Sequence, residues 1–429
     1  MRQILIVILI FNFSSIIGQN KSDDPNVRTD HVFNENIKTV QLFREEWNLS
    51  YPVISLKGDD KLTLHFDLLT NHAESFYYTF IHCDKDWKET GLFVPDYLDG
   101  FEENPVEDYD PSFNTTVSYY HYSLTFPNER IRFKVSGNYI IKVYEQGKAD
   151  EPAFIKRFII TEDAGKISAT AQRPRMAGEN YNTHQQVDFK FNYNGLNLND
   201  PFRNIYASVF QNGRWDAGKT NLKADFQGNN ELEYSSLSDK SVFPGGNEFR
   251  YFDIKSIRYK TEYVRSVDFL VSNYNVYLQP SESREFKPYF YQQDFNGKYV
   301  IAFQEGRDPG TDGDYVYVYF TLPGKEIPAG KMYVAGAFNN WNLDKKNLMT
   351  YNANDARYEC TILMKQGWYN YEYLFLKNGD TDAIRGPFEG NHYETENDYL
   401  IVIYYRNPRE RYDRVLVTET VNTLNKIRD

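Results

Sequence analysis

Residues 213–220 read GRWDAGKT. This satisfies the phosphate-cradling pattern of glycine, four residues, glycine, lysine and a hydroxyl residue. That chemistry needs a strand before the loop and a helix after it, so that the first helical amides face the phosphates. A strand-like run, NIYASVF, does precede it, but NLKADFQGNNELEY follows, with Gly228 and two asparagines close behind. Such a run does not start a stable helix. The sequence therefore predicts a hairpin or loop tip, with Gly213 and Gly218 as turn residues.

Other chemistry-bearing residues are scattered. Histidines stand at 31, 65, 72, 82, 121, 184 and 392, with no HExxH pair. His82 and Cys83 are adjacent in a strand-like run, so their side chains point to opposite faces and do not share a metal. A structural zinc needs four converging nitrogen or sulfur ligands, and Cys83 and Cys360 are the only cysteines. Each is expected in a strand as a small buried hydrophobe, not as half of a long-range bridge. Asp308, Asp312 and Asp314 sit in DPGTDGD. Calcium takes six to eight oxygens, but the spacing and the missing terminal glutamate depart from the known loop, so a solvated linker is expected. There is no G-x-S-x-G elbow. The sequence supports no catalytic residue, no metal ligand, no cofactor and no small-molecule substrate, so the chain is not expected to be an enzyme.

The elements that would carry these residues are strands. The chain holds 36 Tyr and 31 Phe, types that favour pleated, half-buried surfaces. Period-2 alternation recurs, broken by Gly, Asn, Asp and Pro, and long helical periodicity is nearly absent. The fold class expected is all-β: tandem immunoglobulin-like or early-set β-sandwich domains with few helices. Residues 1–18 read as a secretory signal peptide, with Arg2 as the positive region and an apolar run from Ile4 to Phe13. That run is shorter than the ~20 residues that span a bilayer. Residues 19–36 are expected to be a flexible N-terminal segment. A first β-sandwich follows at 37–163, a second β-rich domain at 166–305, an early-set domain at 312–406, and a charged tail with a weak helical stretch at 407–429. Within 249–264, apolar residues alternate with charges as a one-sided sheet face requires. The formal charge is −12, which argues against a nucleic-acid surface.

Residues 331–375 contain KMYVAGAFNNWNL and end in WYNYEYLF. This stretch resembles an early-set immunoglobulin-like module of the glycogen-binding kind. In that family a tryptophan in FNNW, a second tryptophan after the next hairpin and a lysine in the Tyr-x-Phe strand hold the sugar. Here Trp341 matches the first. Glu372 stands at the lysine position, the hairpin KNGDTDAIRG carries no tryptophan, and Trp368 lies before the strand. Trp341 is thus the one sugar-contact candidate, and a periplasmic carbohydrate-binding β-sandwich protein is the alternative reading.

Longer strings point elsewhere. FIHCDKDW (80–87), YLDGFEENPVEDYDPSFNTTVSYYHYSLTFPNE (97–129), SGNYIIKVYEQG (136–147), FPGGNEFRYFDIKS (243–256) and EGNHYETENDYLIVIYYR (389–406) resemble the type IX secretion system plug protein family over nearly the whole length after the signal. The resemblance implies a non-enzymatic periplasmic protein at the inner face of the outer membrane. Its partner would be the giant outer-membrane translocon barrel, whose periplasmic opening it would plug when idle. It would not itself span the membrane. The family carries no established catalytic or metal set, so no residue is assigned a role on that ground. Exposed tyrosines would supply adaptable contact area, but the sequence does not say which surface meets the barrel.

Overall fold

The computed structural model describes residues 30–424 apart from 176, 177, 179 and 236–238. The signal-peptide reading and most of the N-terminal segment lie outside the described residues. Strands take 47% of the chain and helices 6%, so the fold is all-β, as the alternation and aromatic content lead one to expect. The helices Val94–Tyr97, Pro201–Asn204 and Pro309–Asp312 are single turns.

The first unit is a sandwich. One sheet pairs Phe76–Cys83, Gly137–Glu145 and Pro152–Thr161; the other pairs Ile37–Arg44, Leu62–Leu68 and Tyr120–Phe126. Inward residues of both sheets, such as Leu64, Phe66, Phe80, Tyr122, Ile141 and Phe158, form one core. Residues 30–36, expected to be flexible, are tied to this unit. His31–Val32 pairs with Pro152–Thr161, and Asp30 accepts from the Arg157 amide and pairs with Lys156 at 2.7 Å.

The second and third units are interwoven, contrary to the boundaries expected at 166–305, 312–406 and 407–429. In the second unit, Ile205–Gln211 pairs with Asp398–Tyr405, which pairs with Arg414–Asn422. Their inward residues share a core with Phe189, Phe191 and Leu232 of the facing sheet. The tail thus contributes a strand where a weak helix was expected. The third unit gathers Arg250–Asp253, Tyr299–Ile301, Gly330–Ala335 and Gly367–Lys377 in one sheet, with Asn273–Leu278, Tyr315–Pro323 and Arg357–Lys365 in the other. It is an insertion between strands of the second unit. Alternation marks a strand and its buried face, but not its partner, so a linear reading cut the chain at 305 and missed the return. Within 249–264 only Arg250–Asp253 and Val264, the first residue of Val264–Leu270, are in strands.

Tyrosines are core material here. Ten of the twelve largest fully buried side chains are tyrosines, so tyrosine builds the core as well as the exposed contact area expected from the sequence. Several of their hydroxyls are satisfied inside: Tyr97 donates to Phe80 O at 2.9 Å, Tyr369 to Lys365 O at 2.6 Å and Tyr373 to Ser281 Oγ at 3.0 Å. A buried phenol needs such a partner.

Candidate functional site

Charged and polar residues converge at the seams between the units, not in a cleft. The first seam centres on Asp67, fully buried on Leu62–Leu68. Its Oδ2 accepts from Lys365 Nζ at 2.6 Å and from Tyr315 Oη at 2.7 Å, both on the third unit. Its Oδ1 lies 2.6 Å from His121 Nδ1, on the neighbouring strand. Burial alone would raise this carboxyl, but Lys365 and His121 outweigh it and hold it below the ordinary value. His65 follows, 3.2 Å from His121; burial first, then the neighbouring His121, pushes it down to about 4, so it is neutral at pH 7. Lys365 also donates to Gly310 O at 2.6 Å and lies 4.2 Å from the Tyr119 ring centre. The strong donors and acceptors around Asp67 are used within the protein. That is the arrangement of a lock between domains.

The aspartates considered for calcium belong to the same seam. Asp314 accepts from Thr116 N, Thr116 Oγ1 and Val117 N of the first unit at 2.8–3.2 Å. Asp312 accepts from the amides of Arg307 and Asp308, and Asp308 from that of Gly310. Among the described residues no three His, Cys, Asp or Glu converge as a metal site.

The second seam absorbs the phosphate-loop string and the early-set string together. Residues 212–218 form the connection between Ile205–Gln211 and Lys219–Leu222, with Gly213 at φ +68°. Arg214 is buried there. It pairs with Asp216 at 2.7 Å and with Glu372 at 3.2 Å, and its guanidinium lies 4.6 Å from the Trp341 ring centre. Arg385 closes the other side of Glu372 at 2.7 Å. Glu372, where the sugar-binding pattern has lysine, is therefore the anion of an interdomain ion cluster. Trp341 is 8% exposed, covered by Arg214 and Phe249, and fills the space left by Gly297, where a Cβ would come within 2.6 Å of the ring. A ring so placed presents no open face for a pyranose. Trp368 stacks on Tyr251 at 5.1 Å.

A third weld joins two of the strings that carried the resemblance. Gly246 donates to Asn391 Oδ1 at 2.8 Å, and His392 N to Gly246 O at 2.8 Å. Asn397 donates to Gly245 O and to Gln185 Oε1 at 2.8 and 2.9 Å. Gly245 is forced: a Cβ there would sit 2.0 Å from His392 O. Glu389 accepts from Arg250 and Arg284, both at 2.9 Å, and from the Tyr373 amide. Although burial opposes it, the two guanidiniums lower its pKa to about 2. Arg284 thereby anchors the long irregular stretch 279–298, which carries the exposed Phe286 and Phe290. Across the first and second units the contact is apolar: Cys83, Trp87, Ile140 and Ile159 meet Phe210, Leu400, Val402 and Tyr404. Cys83 and Cys360 are both buried, with no disulfide between them.

Sequence reasoning placed none of these seams. The visible signal was the pair of strings around Gly245 and Asn391, whose glycines and asparagines suit a tight weld. Among the described residues no helix is long and apolar enough to cross a membrane.

The family model described as the type 9 secretion system plug protein 1st domain matches residues 37–162. The chain belongs to the type 9 secretion system plug protein family. As a member of that family it is a component of the secretion system, and the family is a structural one associated with the outer-membrane translocon. The chain is also similar to the crystal structure of a hypothetical protein from Parabacteroides merdae ATCC 43184. The two share 34% identity and a TM-score of 0.88 over 92% of this chain and 99% of that one. A biofilm associated protein B domain aligns at 9% identity with a TM-score of 0.18, covering 92% of this chain and 88% of that one. That likeness carries no argument. No curated protein matches.

Proposed function

We propose that the chain caps the periplasmic opening of the type IX translocon barrel and keeps the pore sealed while no cargo is engaged. The family match over the first unit carries this reading. The seams support it physically. A cap across a wide opening must not flex at its domain joints, and here three joints are closed by a buried ion network, an ion cluster and an apolar face. Interfaces of that kind oppose the relative domain motion that small, polar ones permit. The net charge of −12 favours solubility of a released form.

The test is affinity capture of the tagged native protein from detergent-solubilised envelope. Recovery of a large outer-membrane barrel is the expected result; its absence overturns the reading. A deletion strain should also admit large polar compounds across the outer membrane. No observation favours glycan binding, because Trp341 is covered.

A further inference from the structure

The seam between the first and third units forms a half-open pocket of about 330 Å³, within the ~300–1,000 Å³ range of small-ligand pockets. Its walls include Phe338, Ile362 and Met364 of the third unit and Ile37 and Lys38 of the first. Lys38 comes to line it through an irregularity in the first strand. The register of Ile37–Arg44 against Leu62–Leu68 shifts between Lys38 and Gln41, and such bulges re-aim side chains. Thr39, at the bulge, has φ +53°, a left-handed backbone that costs a β-branched residue free energy. It is held there by a 2.6 Å bond to Tyr315 Oη.

The Lys38 side chain is unusual among the seam's charges. Lys365 and Lys156 each have a carboxylate within 2.7 Å, whereas the half-buried Lys38 ammonium has no hydrogen-bond or ion-pair partner among the described residues. Burial lowers its pKa, and the Lys346 ammonium on the cavity's rim lowers it further, against a pull from Glu35 and Asp344. A desolvated cation without a partner is costly, and an anion beside it would relieve both effects.

We propose that this cavity binds a small amphiphilic carboxylate, its apolar body against Phe338, Ile362 and Met364 and its head group on Lys38. Such a ligand would bridge the first and third units directly.

Isothermal titration calorimetry of the full chain with octanoate tests this, with octanol as the neutral control. Saturable octanoate binding is expected, at least tenfold tighter than octanol and at least tenfold weakened in Lys38→Gln. Ile362→Trp fills the cavity from a half-buried position and should abolish binding while circular dichroism stays native. Absence of saturable octanoate binding, equal affinity for octanol, or undiminished binding by either variant overturns the proposal. If Lys38→Gln fails to fold, Ile362→Trp and the octanol comparison decide.

Discussion

Lys365 Nζ lies 2.6 Å from Asp67 Oδ2, although the two residues are 298 positions apart and on different units. Both are almost wholly excluded from solvent. Removing one member of such a pair leaves an uncompensated charge, at a cost of about 3–5 kcal/mol. Asp67→Ala should lose stability of that order in urea unfolding. An Asp67→Leu/Lys365→Met double variant should recover most of the loss, because it leaves no stranded charge.

Acid titrates the third weld. The Glu389 carboxyl is lowered from about 4.5 to about 2 by Arg250 and Arg284. A depressed folded-state pKa contributes stability above the unfolded value and loses it as pH falls through the folded one. The contribution is about 3 kcal/mol at 1.36 kcal/mol per unit, disappearing between roughly pH 4.5 and 2. Melting temperature against pH should fall over this window, and Glu389→Gln should flatten the fall.

Base titrates a neighbouring pair in the opposite sense. Burial raises Glu248 to about 7 and Asp294 to about 8; the Glu396 carboxylate adds to the rise of Glu248, and the Glu248 and Glu396 carboxylates to that of Asp294. Both are held near stretch 279–298: Glu248 accepts from Tyr289 Oη and the Glu396 amide, while Asp294 accepts from the Phe249 and Asn296 amides. Arg284, which donates to Glu248 O, is the cation nearby. A raised folded-state pKa gives stability that is full below the unfolded value and lost as pH rises through the folded one. Stability should therefore decline from about pH 4 to pH 8 through this pair. Glu248→Gln should raise the melting temperature at pH 8 and weaken that slope.

Trp341→Ala should behave as a core truncation. Loss of about 3–5 kcal/mol is expected for a buried tryptophan, read by thermal unfolding. Titration with linear or branched glucans should leave the tryptophan fluorescence of the parent chain unchanged; a saturable response would restore the sugar-binding reading.

Cys360 should resist alkylation in the native state. Burial pushes its thiol up to about 12, and only the thiolate is nucleophilic. Iodoacetamide followed by mass spectrometry should modify it only after denaturation.

What the sequence made legible was local. The fold class was visible because Tyr and Phe alternate with polar residues wherever a sheet has one buried face. The hairpin at 213–220 was visible because Gly228 and its asparagines deny a helix. Arg214, Glu372 and Asp67 were not visible, because a buried ion pair has no signature in either strand alone. Glu372 looked like a lost sugar contact, and only the fold shows it facing Arg214 of another unit. The strand Arg414–Asn422 was missed for a related reason: among its polar and charged residues lies only a short apolar run, Val415, Leu416 and Val417, shared between two cores, that has meaning only beside Asp398–Tyr405.

The insertion of one unit within another dictates an order of assembly. Ile205 pairs with Tyr405, 200 positions away, so the second unit cannot close until the inserted unit has been made. If the insert folds first, it brings its two ends together where Gly245 meets His392. An effective loop roughly fourfold shorter lowers the entropic cost of the final pairing by on the order of 1 kcal/mol. A lesion confined to the insert would then surface as failure of its host to close, so the two units stand or fall together.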